Sequence, residues 1–230
     1  MREFYSNSVY CGVVISLLSY WIGSSLQKKF KSPLFNPLLI SVLLVIAFLL
    51  TFHIDYETYN AGAKYITYLL TPATICLAVP LYDQIEQLKN HWRAILIGTL
   101  SGVITCLVTI LLLSILFHLG HTGYVTLLPK SITTAIGIDL AAEMGGRPAI
   151  TIAAILITGC QGNMFAEVNC RLFRITNPVA KGVAIGTASH AMGTAKAMEM
   201  GEIEGAMSGL SIVTAGIMTA VLANFFAMMY

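Results

Sequence analysis

The stretch AILIGTLSGVITCLVTILLLSILF, residues 94–117, carries no charged side chain and no proline. An apolar helix needs about 20 residues to cross a hydrocarbon core about 30 Å thick, so this stretch predicts a membrane-spanning helix. It lies inside a charge-free window, 94–129, and further windows run over 4–27, 32–54, 65–82, 148–166, 182–195 and 205–230. All but 182–195 reach a spanning length of about 18 residues.

Composition agrees with the windows. Of 230 residues, 57% are hydrophobic and 10% charged, against roughly 25% charged in soluble domains. A water-soluble enzyme, a nucleic-acid binder and a disordered chain are excluded. The net charge of +2 is small and its cations are scattered, which implies no polyanionic partner. The five cysteines, Cys11, Cys76, Cys106, Cys160 and Cys170, have no CxxC spacing and read as packing residues. No stretch is hydrophilic enough for a second domain. The reading is therefore one integral membrane domain, 1–230, with 1–118 mainly scaffold, 119–204 a broken-helix substrate region and 205–230 a last spanning helix.

Lys and Arg favour cytoplasmic loops, which places Lys28, Lys29 and Lys31 inside and the N-terminus outside. Helix 2, about 36–52, exits to an outer loop with Asp55 and Glu57. A segment from about 65 to 82 returns to an inner loop with Lys89 and Arg93. Helix 4, about 94–117, ends outside at His118 to His121, and Arg171, Arg174 and Lys181 are again inside. Two full crossings between that outer loop and that inner cluster would break the parity, so one of 124–146 and 148–166 does not cross. The interrupted one is 124–146, which holds Pro129, Lys130, Asp139 and Glu143 and ends at Gly145-Gly146. The window 182–195 is also too short and too polar to face lipid. Irregular backbone at membrane depth is tolerated only beside protein or a water-filled cavity. The fold class is thus an all-α polytopic membrane protein, with about six transmembrane helices plus broken or re-entrant half-helices around 124–146 and 178–198. Leu69-Leu70-Thr71-Pro72 against Leu127-Leu128-Pro129, and Ala94–Ile97 against Ala154–Ile157, hint at the internal repeats common in secondary transporters.

Three groups could carry chemistry. In Leu128-Pro129-Lys130-Ser131-Ile132-Thr133-Thr134, a proline read as helix-initiating is followed by a cation and three hydroxyls. Free N–H groups at a helix start attract anions, so a carboxylate could bind here, or Lys130 could simply reach water at the interface. In Gly186-Thr187-Ala188-Ser189-His190-Ala191-Met192-Gly193-Thr194, small residues allow close packing around an intramembrane histidine, which marks a pathway or relay. Gly182, Gly186 and His190 share one helical face at spacing four. Third, Gln161 and Asn163 sit beside Gly159 and Gly162, lining the same cavity or bridging helices. Asp139 and Glu143, one turn apart, could hold a proton if partly buried. Glu199, Glu202 and Glu204 with Lys196 read as a solvated turn. No zinc motif, nucleophile elbow or phosphate loop is present, so no enzyme activity, metal or cofactor is expected.

The Leu128–Thr134 and Gly186–Ala195 stretches resemble signatures of the LrgB/CidB membrane protein family. The resemblance extends to Asn36-Pro37-Leu38-Leu39, Pro80-Leu81-Tyr82-Asp83-Gln84 and Gly201-Glu202-Ile203-Glu204-Gly205-Ala206, and covers essentially the whole chain. Ala135 and Gly209 depart from the family pattern, which usually has proline and serine there. The resemblance implies a bacterial inner-membrane location and two competing functions. One is a holin- or antiholin-like modulator of murein hydrolase export and autolysis, with a smaller LrgA/CidA-type partner. The other is a carrier of small monocarboxylates such as pyruvate, glycolate or lactate, and the residues favour it. On that reading Lys130, Ser131, Thr133, Thr134, Gln161, Thr187, Ser189, His190 and Thr194 bind the anion. His190, Asp139 and Glu143 are candidate proton-relay groups, and Pro129, Gly186 and Gly193 shape the backbone. A homo-oligomer, a dimer foremost, and elevator-type movement are expected by analogy.

Overall fold

The computed structural model describes residues 10–30, 35–69, 72, 75–76, 82–83 and 85–230. All regular structure among them is helical, as expected for a membrane protein that must satisfy its backbone within each segment. The segment expected to re-enter over about 65–82, and much of the first proposed repeat pair, lie largely outside the described residues. The chain groups into two compact units, Met1–Cys76 and Leu77–Tyr230.

The first unit holds α1 (Cys11–Phe30), α2 (Pro37–Phe52) and α3 (Tyr56–Thr67). The expected helix 2 is present and its start is explained locally: Asn36 Oδ1 accepts from the N–H groups of Leu38 and Leu39, at 2.9 and 3.3 Å, and Pro37 takes the first helical position. Gly12 in α1 lets the backbone of α3 approach at Tyr59 and Ala63, and Ser16 Oγ meets Tyr59 OH at 2.6 Å. A helix therefore occupies much of what the charges of Asp55 and Glu57 suggested was loop. The correction has a simple cause: α3 is amphipathic, and polar residues on one face exclude lipid burial without excluding a helix.

The second unit holds α4 (Ile85–Leu116), α5 (His121–Leu127), α6 (Thr134–Glu143), α7 (Pro148–Leu172), α8 (Pro178–Met200) and α9 (Glu202–Ala227). Among the described residues three stretches are long and apolar enough to cross a membrane: Lys89–Leu116, Pro148–Leu172 and Glu202–Ala227. Helix 4 begins at Ile85, earlier than its charge-free window, because Glu86, Lys89 and Arg93 limit burial in lipid but not helicity. On α9 the outward residues Val213, Ile217, Val221 and Phe225 are 58–68% exposed, while Ala215, Gly216 and Thr219 face inward. Large apolar groups outside and small groups inside are the pattern of a helix between lipid and protein.

Two segments fold back instead of crossing. Between α5 and α6 the chain turns at residues 128–133, bringing Gly137 against the Pro129 carbonyl and Gly146 against Thr126. Thr126 then ties this segment to the start of α7, accepting from Arg147 N–H at 2.8 Å and from Thr151 Oγ1 through its carbonyl at 2.9 Å. The segment thus starts and ends at the face where α4 ends and α7 begins, which is the non-crossing piece that loop parity required. Its apolar side packs into a core of Val103, Leu107 and Ile110 from α4, Tyr124 and Leu128, and Ala223 and Phe226 from α9. Tyr124, fully buried, donates its hydroxyl to the Phe226 carbonyl at 2.9 Å.

The second fold-back is α8. His190 has φ 43 and ψ −142, and the helix reverses there. Gly182 and Gly186 of the first arm lie on Glu204 and Ser208 of α9, and the second arm returns to the same partners, Met198 to Gly205 and Thr194 to Ser208. Gly193 sits against the Ile185 carbonyl, a contact a straight helix cannot make. At about 1.5 Å per residue, the arm from Pro178 to Ser189 is about 18 Å long, just over half of a core about 30 Å thick. Both ends of α8 lie at the level where α7 ends and α9 begins, so the two fold-backs point at each other from opposite ends of the spanning helix α7.

Candidate functional site

The turns of both fold-backs open onto one cavity of about 720 Å³, all of it within the second unit. From the first turn come Lys130 and Ser131; from the second, Thr187 and Ser189 with Ala184 and Ala188. The middle of α4 supplies Ser101, Thr105, Cys106 and Thr109, and α7 supplies Thr158, Gln161, Phe165 and Asn169. Lys130 is the one charged lining side chain among the described residues. Its ammonium donates to Ser131 Oγ at 3.3 Å, and Ser131 Oγ lies 3.3 Å from Cys106 Sγ.

Close packing holds the second turn in place. Gly98 and Gly102 of α4 meet Val183 and Thr187, and Gly159 and Gly162 of α7 leave room for His190, Met192 and Ser189. Asn163 Nδ2 donates to the Met192 carbonyl at 2.7 Å, just past the reversal. His190 Nε2 lies 3.1 Å from the Ile155 carbonyl; a carbonyl only accepts, so Nε2 carries the hydrogen. Thr194 donates to the His190 carbonyl at 3.0 Å, which leaves the Ser208 hydroxyl to donate to Thr194 Oγ1 across 2.7 Å. Thr187 Oγ1 is buried and has no protein partner, which in a dry interior costs about 1–3 kcal/mol unless a ligand or water supplies one.

The sequence-predicted residues separate accordingly. Lys130, Ser131, Gln161, Thr187 and Ser189 share the cavity. His190 does not line it: the reversal turns its ring off the face shared with Gly182 and Gly186 and onto α7. Thr194 and Gly186 face α9, and Gly193 packs within α8. Pro129 does not start a helix. Residues 128–131 form turns, with Lys130 N–H bonded to the Leu127 carbonyl and Ile132 N–H to that of Pro129, and α6 begins only at Thr134 after Thr133. Thr133 and Thr134 therefore mark the helix start, half-buried and outside the lining. Asp139 and Glu143 are exposed on α6 and are not brought to the cavity or to His190.

Glu204 is not part of a solvated turn. It is 8% exposed and 3.7 Å from Lys181, because the fold-back carries the start of α8 beside the start of α9. Of the cysteines, all free, Cys160 and Cys170 are buried as packing residues, Cys76 is exposed, and Cys106 borders the cavity. Sequence reading missed Ser101, Thr105 and Thr109. Their signal was a hydroxyl at every fourth position of an apolar spanning helix, a polar stripe that lipid alone would not favour. Each hydroxyl is bonded to a carbonyl of its own helix, one turn or less back, at 2.8, 2.7 and 2.6 Å, so the stripe can lie in a membrane without stray donors.

A family model described as the LrgB-like family matches residues 16–229. The chain is 38% identical over 218 residues to "Antiholin-like protein LrgB" of Bacillus mycoides (strain KBAB4), covering 94% of this chain and 95% of that protein. It is 37% identical, with the same coverage, to the proteins of that name from Bacillus cereus (strain B4264) and Bacillus anthracis (strain CDC 684 / NRRL 3495). No solved structure matches it. With its spanning helices and a match over nearly its whole length, this chain belongs to the LrgB-like family and is a multi-pass membrane protein.

Proposed function

We propose that this protein carries a small monocarboxylate anion across the membrane by way of the cavity between α4, α7 and the two fold-back turns. The observation that supports this reading is a cavity whose largely apolar wall carries hydroxyl and amide groups, a single cation, Lys130, and no carboxylate among its described lining residues. A charge at membrane depth is costly and is retained where it meets a partner or serves a pathway. One ammonium matches one carboxylate, and Ser131, Gln161, Thr187 and Ser189 offer neutral hydrogen bonds around it. The first N–H groups of α6 and of the second α8 arm follow the lining residues Ser131 and Ser189 and add partial positive charge. His190 and Thr194 are positioning residues on this reading, and His190 is the candidate for proton coupling. Elevator-type movement of a homodimer in the bacterial inner membrane, N-terminus outside, completes the proposal.

A second reading is an antiholin-like modulator of murein hydrolase export and autolysis acting with a small LrgA/CidA-type partner. Its support is the name borne by relatives 37–38% identical to this chain, and it is the reading the comparisons favour. Carboxylate transport draws no support from them.

Uptake of labelled pyruvate, glycolate and lactate into proteoliposomes separates the two. The carrier reading expects uptake that is saturable and lost in Lys130→Ala. Equal uptake by native protein, variant and empty vesicles overturns it. Release of a trapped dye many times larger than pyruvate instead favours a lesion-related role.

A further inference from the structure

The end of α7 and the two ends of α8 border a second, open cavity of about 780 Å³, which shares no lining residue with the first. Its cations are Arg171, Arg174 and Lys181, and its carboxylates are Glu167 and Glu199. Both carboxylates are already engaged by Lys196, at 2.9 Å from Glu167 and 3.0 Å from Glu199, and Arg171 also reaches Glu167 at 3.3 Å. Lys181 is 3.7 Å from Glu204. Four cations thus face three carboxylates, and among the described residues Arg174 has no ion-pair partner. Cys170, Ile175 and Met200 form an apolar floor shared with Ala166 and Ala197.

The place of this cavity is as informative as its charge. Arg171 stands in the last turn of the spanning helix Pro148–Leu172, Arg174 two residues beyond its end, and Lys181 in the first turn of α8; the end of a helix that crosses the hydrocarbon core is where headgroups are met. Guanidinium forks match phosphate oxygens in pairs, and basic pockets between membrane helices take lipid phosphates. We propose that this cavity binds a phosphate group through Arg171, Arg174 and Lys181. Because its wall includes the start of α8 at Lys181 and the end of α8 at Glu199 and Met200, occupancy clamps both ends of the fold-back to α7. The phosphate is that of an anionic phospholipid headgroup or free inorganic phosphate.

The test uses the purified full-length chain in detergent: native protein, the double variant Arg171→Gln/Arg174→Gln, and Arg147→Gln as a control at the opposite end of α7. Thermal unfolding is followed while phosphatidylglycerol, phosphatidylcholine or inorganic phosphate is titrated, with chloride at matched ionic strength. The proposal expects stabilisation of native protein and control, with apparent affinity about tenfold or more weaker in the double variant, the effect of losing charged hydrogen bonds. Stabilisation by phosphatidylglycerol alone identifies a headgroup; an equal response to inorganic phosphate identifies the free ion. Equal responses to phosphatidylglycerol and phosphatidylcholine with none to phosphate, or a double variant that titrates like native protein, overturn it. Should the double variant not fold, Arg174→Gln alone, which breaks no ion pair, gives the same readout.

Discussion

Gly162 of α7 and Ser189 of α8 occupy adjoining space with no room between them: a Cβ on Gly162 would fall on the Ser189 side chain. Gly162→Ala must therefore push the α8 turn away from α7. Overpacking of this kind costs about 1–3 kcal/mol. The expected outcome is a lowered unfolding midpoint and loss of whatever solute passage the native protein shows, while Gly120→Ala, where a Cβ would meet nothing within 4 Å, changes neither.

His190 sits at φ 43, in a region that side chains other than glycine avoid, at a typical cost of about 1–3 kcal/mol. His190→Ala removes the ring and keeps the strain; His190→Gly removes both. The glycine variant should be the more stable of the two by about 1 kcal/mol, read as the difference in thermal midpoint. An alanine variant as stable as glycine would show that the reversal does not lie at this residue.

Thr194 and Ser208, both fully buried, exchange a hydrogen bond of 2.7 Å between the second α8 arm and α9. Thr194→Val strands the Ser208 hydroxyl, at a cost of about 1–3 kcal/mol. Adding Ser208→Ala removes the stranded group, so the double variant should lose less than the two single losses combined. A double-mutant cycle on unfolding free energies measures the coupling, and strict additivity would mean the arm does not return to α9.

Cys106 borders the cavity beside Ser131, whereas Cys160 is buried in packing and lines neither cavity. In variants that each retain one of these two cysteines, a small neutral thiol reagent should label Cys106 faster than Cys160. If Lys130 binds a carboxylate, the transported anion should slow the labelling of Cys106. Mass spectrometry of the alkylated protein reads both effects.

What was legible in the sequence follows from what each residue reports. Charges and prolines mark where a chain cannot remain in lipid, so parity narrowed the non-crossing piece to two stretches and the interruptions at Pro129, Lys130, Asp139 and Glu143 chose the one around Lys130. Polarity and shortness found the segment around His190. Rotation within those segments was not legible, because the 3.6-residue period that grouped Gly182, Gly186 and His190 on one face holds only while the helix continues. The reversal at His190 breaks the period and sends the ring to Ile155. For the same reason Pro129 suggested a helix start five residues before Thr134: proline's fixed φ suits a turn as well as a first helical turn. The hydroxyls of α4 were readable at spacing four, but an apolar majority hid them.

The reversal of α8 also sets an order of assembly. Its glycine-lined first arm has its close partners, Glu204, Met207 and Ser208, on α9, which emerges from synthesis after it. Helices α4 and α7, made earlier, offer α8 Gly98, Gly102, Gly159 and Gly162, but Gly182, Gly186 and Thr194 lack their partners until α9 is in place. Truncating the chain before Glu202 would therefore leave α8 docked on α4 and α7 along one side and bare along the other, a half-built fold-back rather than a protein shorter by one helix.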